Sequence, residues 1–202
     1  MSASRLENVR VAAIMTDGFE QIEFTVPKEA IEEEGGVVHI LVPAERNEEH
    51  VVHGMNHLHP GDEFHVDSTI EEADPEDYDA VLLPGGLVNS DKLRMNKAAH
   101  DFLRHVDEQG KSIFAICHGP WILASANLLR GRTMTSYYTI QDDMRNAGAV
   151  WVDEPVVVEE NFIFSRHPGD LEQFSKAVVD TLSQTAHARA HFAQEALDTE
   201  QS

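Results

Sequence analysis

One cysteine in 202 residues rules out an internal disulfide and a cysteine-held zinc or iron–sulfur centre, so whatever Cys117 does, it does as a lone thiol. Basic side chains are scarce. Lys and Arg total 15 against 36 Asp and Glu, and the resulting formal charge of -21 sets the surface against nucleic-acid phosphates and anionic lipid. No apolar run approaches the roughly 20 residues that a membrane-spanning helix needs. Residues 1–8 are polar and lack the apolar core of a secretion signal, which leads to the expectation of a soluble, cytoplasmic protein. No internal repeat or low-complexity linker cuts the chain. A single domain over 1–202 is therefore expected, with 1–8 as a polar N-terminal extension and 185–202 as a helical extension.

What is present supports a folded core, since apolar residues make up 42% of the chain. The acidic residues run through nearly every polar stretch instead of forming one tail, and Arg outnumbers Lys by ten to five. This pattern points to a high-salt cytoplasm, such as that of a halophilic archaeon. At molar salt the Debye length is about 3 Å, so self-repulsion that loosens the chain in dilute buffer is screened. Low salt is expected to destabilise it.

Hydrophobic patterning alternates between strands and helices. Residues 9–15 and 37–42 read as strands flanking a helical stretch over 20–34, which Gly35 and Gly36 stop. Pro27 lies inside that stretch, and the helix is expected to begin around it instead of running unbroken from Glu20. Residues 51–66 suggest a hairpin, and 68–79 an acidic connector. The run DAVLLPGG is a strand feeding a tight loop at Gly85 and Gly86, followed by a helix over 96–109 and a strand over 112–116. Further on come a short helix over 139–146, strands at 149–152, 156–158 and 162–165, and a long helix over 171–197. Such alternation favours a mostly parallel sheet covered on both faces.

Cys117 falls at the junction between the 112–116 strand and the next helix, where unpaired backbone donors and the helix dipole favour a thiolate. A nucleophile and an inert buried cysteine are about equally compatible with that position. Adjacent side chains normally diverge, so the proximity of His118 in sequence does not make a Cys–His pair. LLPGG and AICHGP both lie at strand C-termini, the ligand side of an open parallel sheet, and amides near Gly86 and His118 are placed to stabilise an oxyanion. Glu20, after the first strand, is within reach of the same crevice as a proton carrier, or else is an exposed helix-start acid. His50, His53, His57, His59 and His65, with Glu48, Glu49, Asp62 and Glu63 nearby, have no regular metal-ligand spacing; neither a metal nor another cofactor is expected.

The ordered set DGFEQIEFTVP, DYDAVLLPGG, NSDKLRMN, GKSIFAICHGPWIL, LRGRTMTSYYTIQDDMRNAGAVWVDEPVVV and SRHPGDL resembles the PfpI-type intracellular cysteine peptidase family. Its superfamily includes the Parkinsonism-linked thiol protein and the class I glutamine amidotransferases. The resemblance implies a flavodoxin-like three-layer α/β sandwich, with Cys117 on a nucleophile elbow and Glu20 hydrogen-bonded near its sulfur. It implies assembly into homo-oligomers, dimers or hexamers, with the site near an interface. There an acidic residue after the PGG loop, for which Asp91 is the nearest match, reaches His118 from another subunit. Tyr137 and His167 are substrate-contact candidates, although packing explains Tyr137 equally well.

The activities the resemblance implies share an electrophilic carbonyl: peptide hydrolysis, glutathione-independent glyoxalase chemistry, and deglycation. Addition of a thiolate to a small dicarbonyl such as methylglyoxal demands less geometry than cleavage of an extended peptide and is the favoured reading. Intracellular peptide hydrolysis and a noncatalytic oxidative-stress sensor at Cys117 are the alternatives. Glutamine amidotransfer needs a later catalytic His and acid, and SRHPGDL matches the peptidase family's own loop better.

Overall fold

The computed structural model describes residues 4–45 and 50–200, with side chains as far as residue 188. Thus residues 1–3, Glu48, Glu49 and the last two residues of the expected helical extension lie outside the described residues. In chain order the elements are β1 (Arg10–Ile14), β2 (Phe19–Glu20), α1 (Gln21–Glu33), β3 (Val37–Val42), β4 (Val51–Asn56), β5 (His59–His65), β6 (Ser68–Thr69) and β7 (Ala80–Leu83). They continue with α2 (Leu87–Leu93), α3 (Lys97–Glu108), β8 (Ser112–Ile116), α4 (Pro120–Ser125), β9 (Thr133–Met134), α5 (Gln141–Asn146), β10 (Val150–Trp151), β11 (Val156–Glu159), β12 (Phe162–Ser165) and α6 (Leu171–Glu200).

Seven strands form the central sheet in the order β11-β12-β8-β7-β1-β3-β6, parallel throughout except for β11, which pairs antiparallel with β12. The short strands RVAAI, AVLL and SIFAI are buried on both pleat faces, apart from the exposed Arg10, because helices cover both sides. Ala13, Leu82 and Phe114 pack with Phe24 and Ile31 of α1 and Phe174 and Val178 of α6. Ala12, Val81 and Ile113 face the opposite layer, with Phe102 and Val106 of α3 and Leu123 of α4. The architecture is a flavodoxin-like three-layer α/β sandwich. Among the described residues, no helix is long and apolar enough to cross a membrane.

Three local differences from the sequence reading have physical causes. Helix α1 runs unbroken through Pro27 instead of beginning there. A proline at 27 removes the hydrogen bond to the Glu23 carbonyl, at a cost of about 3 kcal/mol in an isolated helix. Burying the stripe Glu23, Phe24, Pro27 and Ile31 against the sheet holds the helix together across the gap. The NSDKLRMN stretch forms α2, pinned by buried Asn89. The Asn89 amide donates to the carbonyls of Pro84 and Gly85 at 3.0 and 2.9 Å, and its oxygen accepts the Thr16 N–H at 2.7 Å. Finally, the N-terminal segment is anchored: Leu6 is fully buried and its N–H donates to the Glu34 carbonyl.

The hairpin of β4 and β5 lies outside the central sheet, in a separate three-stranded sheet with β2, which pairs parallel with β4. That arrangement carries the hairpin tip, residues His57 and Leu58, to the C-terminal end of the sheet where β1 and β7 diverge toward opposite sides.

Candidate active site

Cys117 follows β8 with φ of +61°, a left-handed conformation that a residue with a Cβ adopts only when its surroundings enforce it. The enforcement is visible on both sides of the residue. Its N–H donates to the Ser165 carbonyl at 3.0 Å, its carbonyl accepts from the Tyr137 N–H at 2.9 Å, and the Gly119 N–H returns to the Ile116 carbonyl. The sulfur-bearing residue is 7% exposed, at the floor of a cavity of about 290 Å³. It stands ahead of α4, which starts at Pro120, so the amides around the sulfur are those of His118 and Gly86 and not the helix's own first turn.

The elbow reverses the usual divergence of neighbouring side chains: His118 Nδ1 sits 3.3 Å from Cys117 Sγ. The imidazole is stacked on Tyr137, with ring centroids 4.9 Å apart, and meets Trp121 edge-on at 5.5 Å. Burial pulls the His118 pKa below its ordinary value, so near pH 7 the ring is a neutral acceptor for the thiol proton.

The carboxyl that interacts with the thiol belongs to Glu23, not to Glu20. Its Oε2 accepts the Gly85 N–H at 2.9 Å, and its Oε1 has no oxygen or nitrogen partner among the described residues. Burial, with the nearby charge of Glu20, pushes the Glu23 pKa from 4.5 up to about 8. Burial and a charged Glu23 also push the Cys117 thiol up, while the His118 and Gly86 amides pull it down. Because the two groups interact, they titrate as a pair, and a proton kept on Glu23 removes the charge that opposes a thiolate.

Gly85 permits this contact. A Cβ there would lie 2.5 Å from Glu23 Oε2, 2.7 Å from Cys117 Cβ and 2.9 Å from His118 N. Gly86, at φ of +85°, turns the chain so that its amide faces the sulfur.

Glu20 lines the same cavity but serves the hairpin, accepting the His57 N–H at 3.1 and 3.3 Å. Tyr137 and Gly86 also line it. Asp91 does not; it lies on the exposed face of α2. His167 caps the turn before α6, its Nδ1 accepting the Gly169 N–H at 3.1 Å, and its neighbour Pro168 reaches the cavity instead. Arg166 is occupied by Asp170 and Asp153 at 2.8 to 3.1 Å. Among the described residues, no three His, Cys, Asp or Glu side chains converge as metal ligands; His53 pairs with Asp17 and Glu63.

Sequence reasoning missed Glu23 and Asn89. The signal for Glu23 was the spacing 23, 27, 31, which sets three residues on one helical face with a carboxyl at its N-terminal end.

Comparison with known proteins places this geometry. A family model described as the DJ-1/PfpI family matches residues 9–181. A protein of Thermococcus kodakarensis named as a deglycase is 40% identical over 174 residues, covering 86% of this chain and 99% of that one. YraA of Bacillus subtilis, provisionally named a cysteine protease, is 39% identical over 173 residues, covering 86% and 98%. Among solved structures, Drosophila melanogaster DJ-1beta superposes with a TM-score of 0.78 at 26% identity, covering 87% of this chain and 90% of that one.

Proposed function

The chain belongs to the DJ-1/PfpI family, and from that premise we propose that it converts small reactive dicarbonyls such as methylglyoxal to hydroxy acids, without glutathione, through covalent addition to Cys117. The observation that carries this reading is the contact between Cys117 and a carboxyl that keeps its proton to about pH 8, inside a cavity the size of a small molecule.

Sγ adds to the aldehyde carbon, and the carbonyl oxygen takes a proton from the Glu23 carboxyl, giving a hemithioacetal. The carboxylate so formed, or neutral His118, removes the hydrogen on that carbon. Reprotonation at the neighbouring carbon passes through an enediol and leaves a thioester of lactate on Cys117. Water cleaves the thioester, and the sum is methylglyoxal plus water to lactate, with no external oxidant or reductant. The Gly86 and His118 amides support this path by facing the sulfur, where negative charge resides before attack and after release.

The 3.3 Å contact between Cys117 and His118 favours one second reading, peptide hydrolysis through an acyl-enzyme. In either reading a homo-oligomer supplies any carboxylate for His118, since Asp91 does not line the cavity of its own chain. The deciding experiment follows methylglyoxal conversion to lactate by mass spectrometry in molar KCl. Lactate that accumulates catalytically, disappears in folded Cys117→Ala and falls at least about a hundredfold in Glu23→Gln is expected. Folded wild-type protein without turnover would sink the dicarbonyl reading.

A further inference from the structure

Among the described residues, the polar lining of the cavity consists of Glu20, Glu23, His57, His118 and Tyr137 beside Cys117, with no lysine or arginine. An active site that receives a carboxylate- or phosphate-bearing substrate ordinarily offers a cation or a fork of donors to that group. This one offers the reverse. Both oxygens of Glu20 accept the His57 backbone N–H, and its negative charge is felt by Glu23 beside the sulfur. The groups facing Glu20 do not cancel that charge. His118 is held neutral by burial, Glu23 keeps its proton, and the His57 ring stands 3.6 Å from Glu20 with 80% of its side chain in solvent.

Resting on Cys117 as the attacking group, we propose that Glu20 is a specificity-determining residue: its carboxylate in the cavity wall makes the site refuse anionic carbonyl compounds, such as 2-oxo acids and phosphorylated aldehydes, and admit neutral dicarbonyls. Glu20 sits in β2, held by the hairpin, while Glu23 lies in the first turn of α1. The two carboxyls therefore divide the work. One moves a proton at the sulfur, and the other sets the sign of the potential through which a substrate approaches. Partial exclusion of water from the cavity strengthens repulsion between like charges relative to bulk solvent.

Because Cys117 is the only cysteine, alkylation reads the potential at the sulfur directly and needs no turnover. The experiment measures second-order rates for neutral iodoacetamide and anionic iodoacetate at pH 7, where Glu23 is mostly protonated, in 0.2 M KCl. Their ratio is normalised to that of a free thiol, and circular dichroism verifies folding. Wild-type protein is expected to disfavour iodoacetate about fivefold beyond the free thiol. Glu20→Gln, which keeps an oxygen for the His57 N–H, is expected to lose most of that bias, and Glu20→Asp to retain it. In 2 M KCl the wild-type bias shrinks. Equal ratios in wild type and Glu20→Gln, or a ratio unmoved by salt, would overturn the selection while leaving the thiol chemistry intact. A thiol inert to both reagents would overturn the covalent chemistry and this inference with it.

Discussion

A buried carboxyl with a pKa raised from 4.5 to about 8 must cost the protein stability in a definite pH window. Below about pH 4.5 both the folded and unfolded chains hold the Glu23 proton, and the residue is neutral in each. As pH rises, the unfolded chain releases that proton first, so the unfolded state is stabilised by ionisation that the folded state undergoes only above about 8. Stability is therefore lost progressively between about 4.5 and 8. With 1.36 kcal/mol per pH unit, the loss is about 3 kcal/mol at pH 7 and about 4 kcal/mol at pH 8. Glu23→Gln removes the titration while retaining an oxygen to accept the Gly85 N–H. Its buried amide adds a cost of its own, but that cost does not vary with pH. Urea unfolding of both proteins at pH 5, 6, 7 and 8 in molar KCl separates the two effects. The stability difference should move in favour of Glu23→Gln by about 3 to 4 kcal/mol across the series, whatever its value at pH 5. Parallel pH dependences would refute the assignment of Glu23 as the proton-holding group.

Two further outcomes follow from features away from that carboxyl. Gly85→Ala places a methyl 2.5 Å from Glu23 Oε2 and 2.9 Å from His118 N, so the elbow must shift. A stability loss of about 1–3 kcal/mol by thermal unfolding and a drop in kcat/KM of roughly a hundredfold are expected, and wild-type turnover would contradict the geometry. With a formal charge of -21, the thermal midpoint should rise by several degrees between 0.2 and 2 M KCl, and more than it does in sucrose of matched osmolality. A midpoint indifferent to KCl would remove the electrostatic account of the composition.

Much of the sheet was legible because parallel strands buried on both faces leave short continuous apolar runs, as in AVLL and SIFAI. Helix α3 announced itself through Asn96, whose side chain accepts the Ala99 N–H, and through the stripe Ala99, Phe102, Leu103 and Val106. The two-residue strands β6 and β9 have no pattern long enough to read and exist because a neighbour supplies hydrogen bonds, whereas β10 lies within the strand read at 149–152. At the site, Cys117 and Gly86 were legible because strand ends and glycines mark where a sheet meets its ligand. Glu23 was not singled out, because its place beside the thiol depends on the phase of α1 and the sequence reading began that helix around Pro27. The contact between Cys117 and His118 was also hidden, since the rule that neighbouring side chains diverge presumes an ordinary φ. At +61° that presumption fails.

The hairpin of β4 and β5 has one more implication, for how such a protein diversifies. The reacting groups stand on the turn after β8, on α1 and on the loop after β7, whereas His57 and Leu58 at the mouth stand on a ribbon outside the central sheet. Insertions, deletions and substitutions at the ribbon's tip, where Leu58 is 90% exposed, leave the buried layers untouched. A lineage can therefore redraw the entrance while inheriting the thiol and its carboxyl intact.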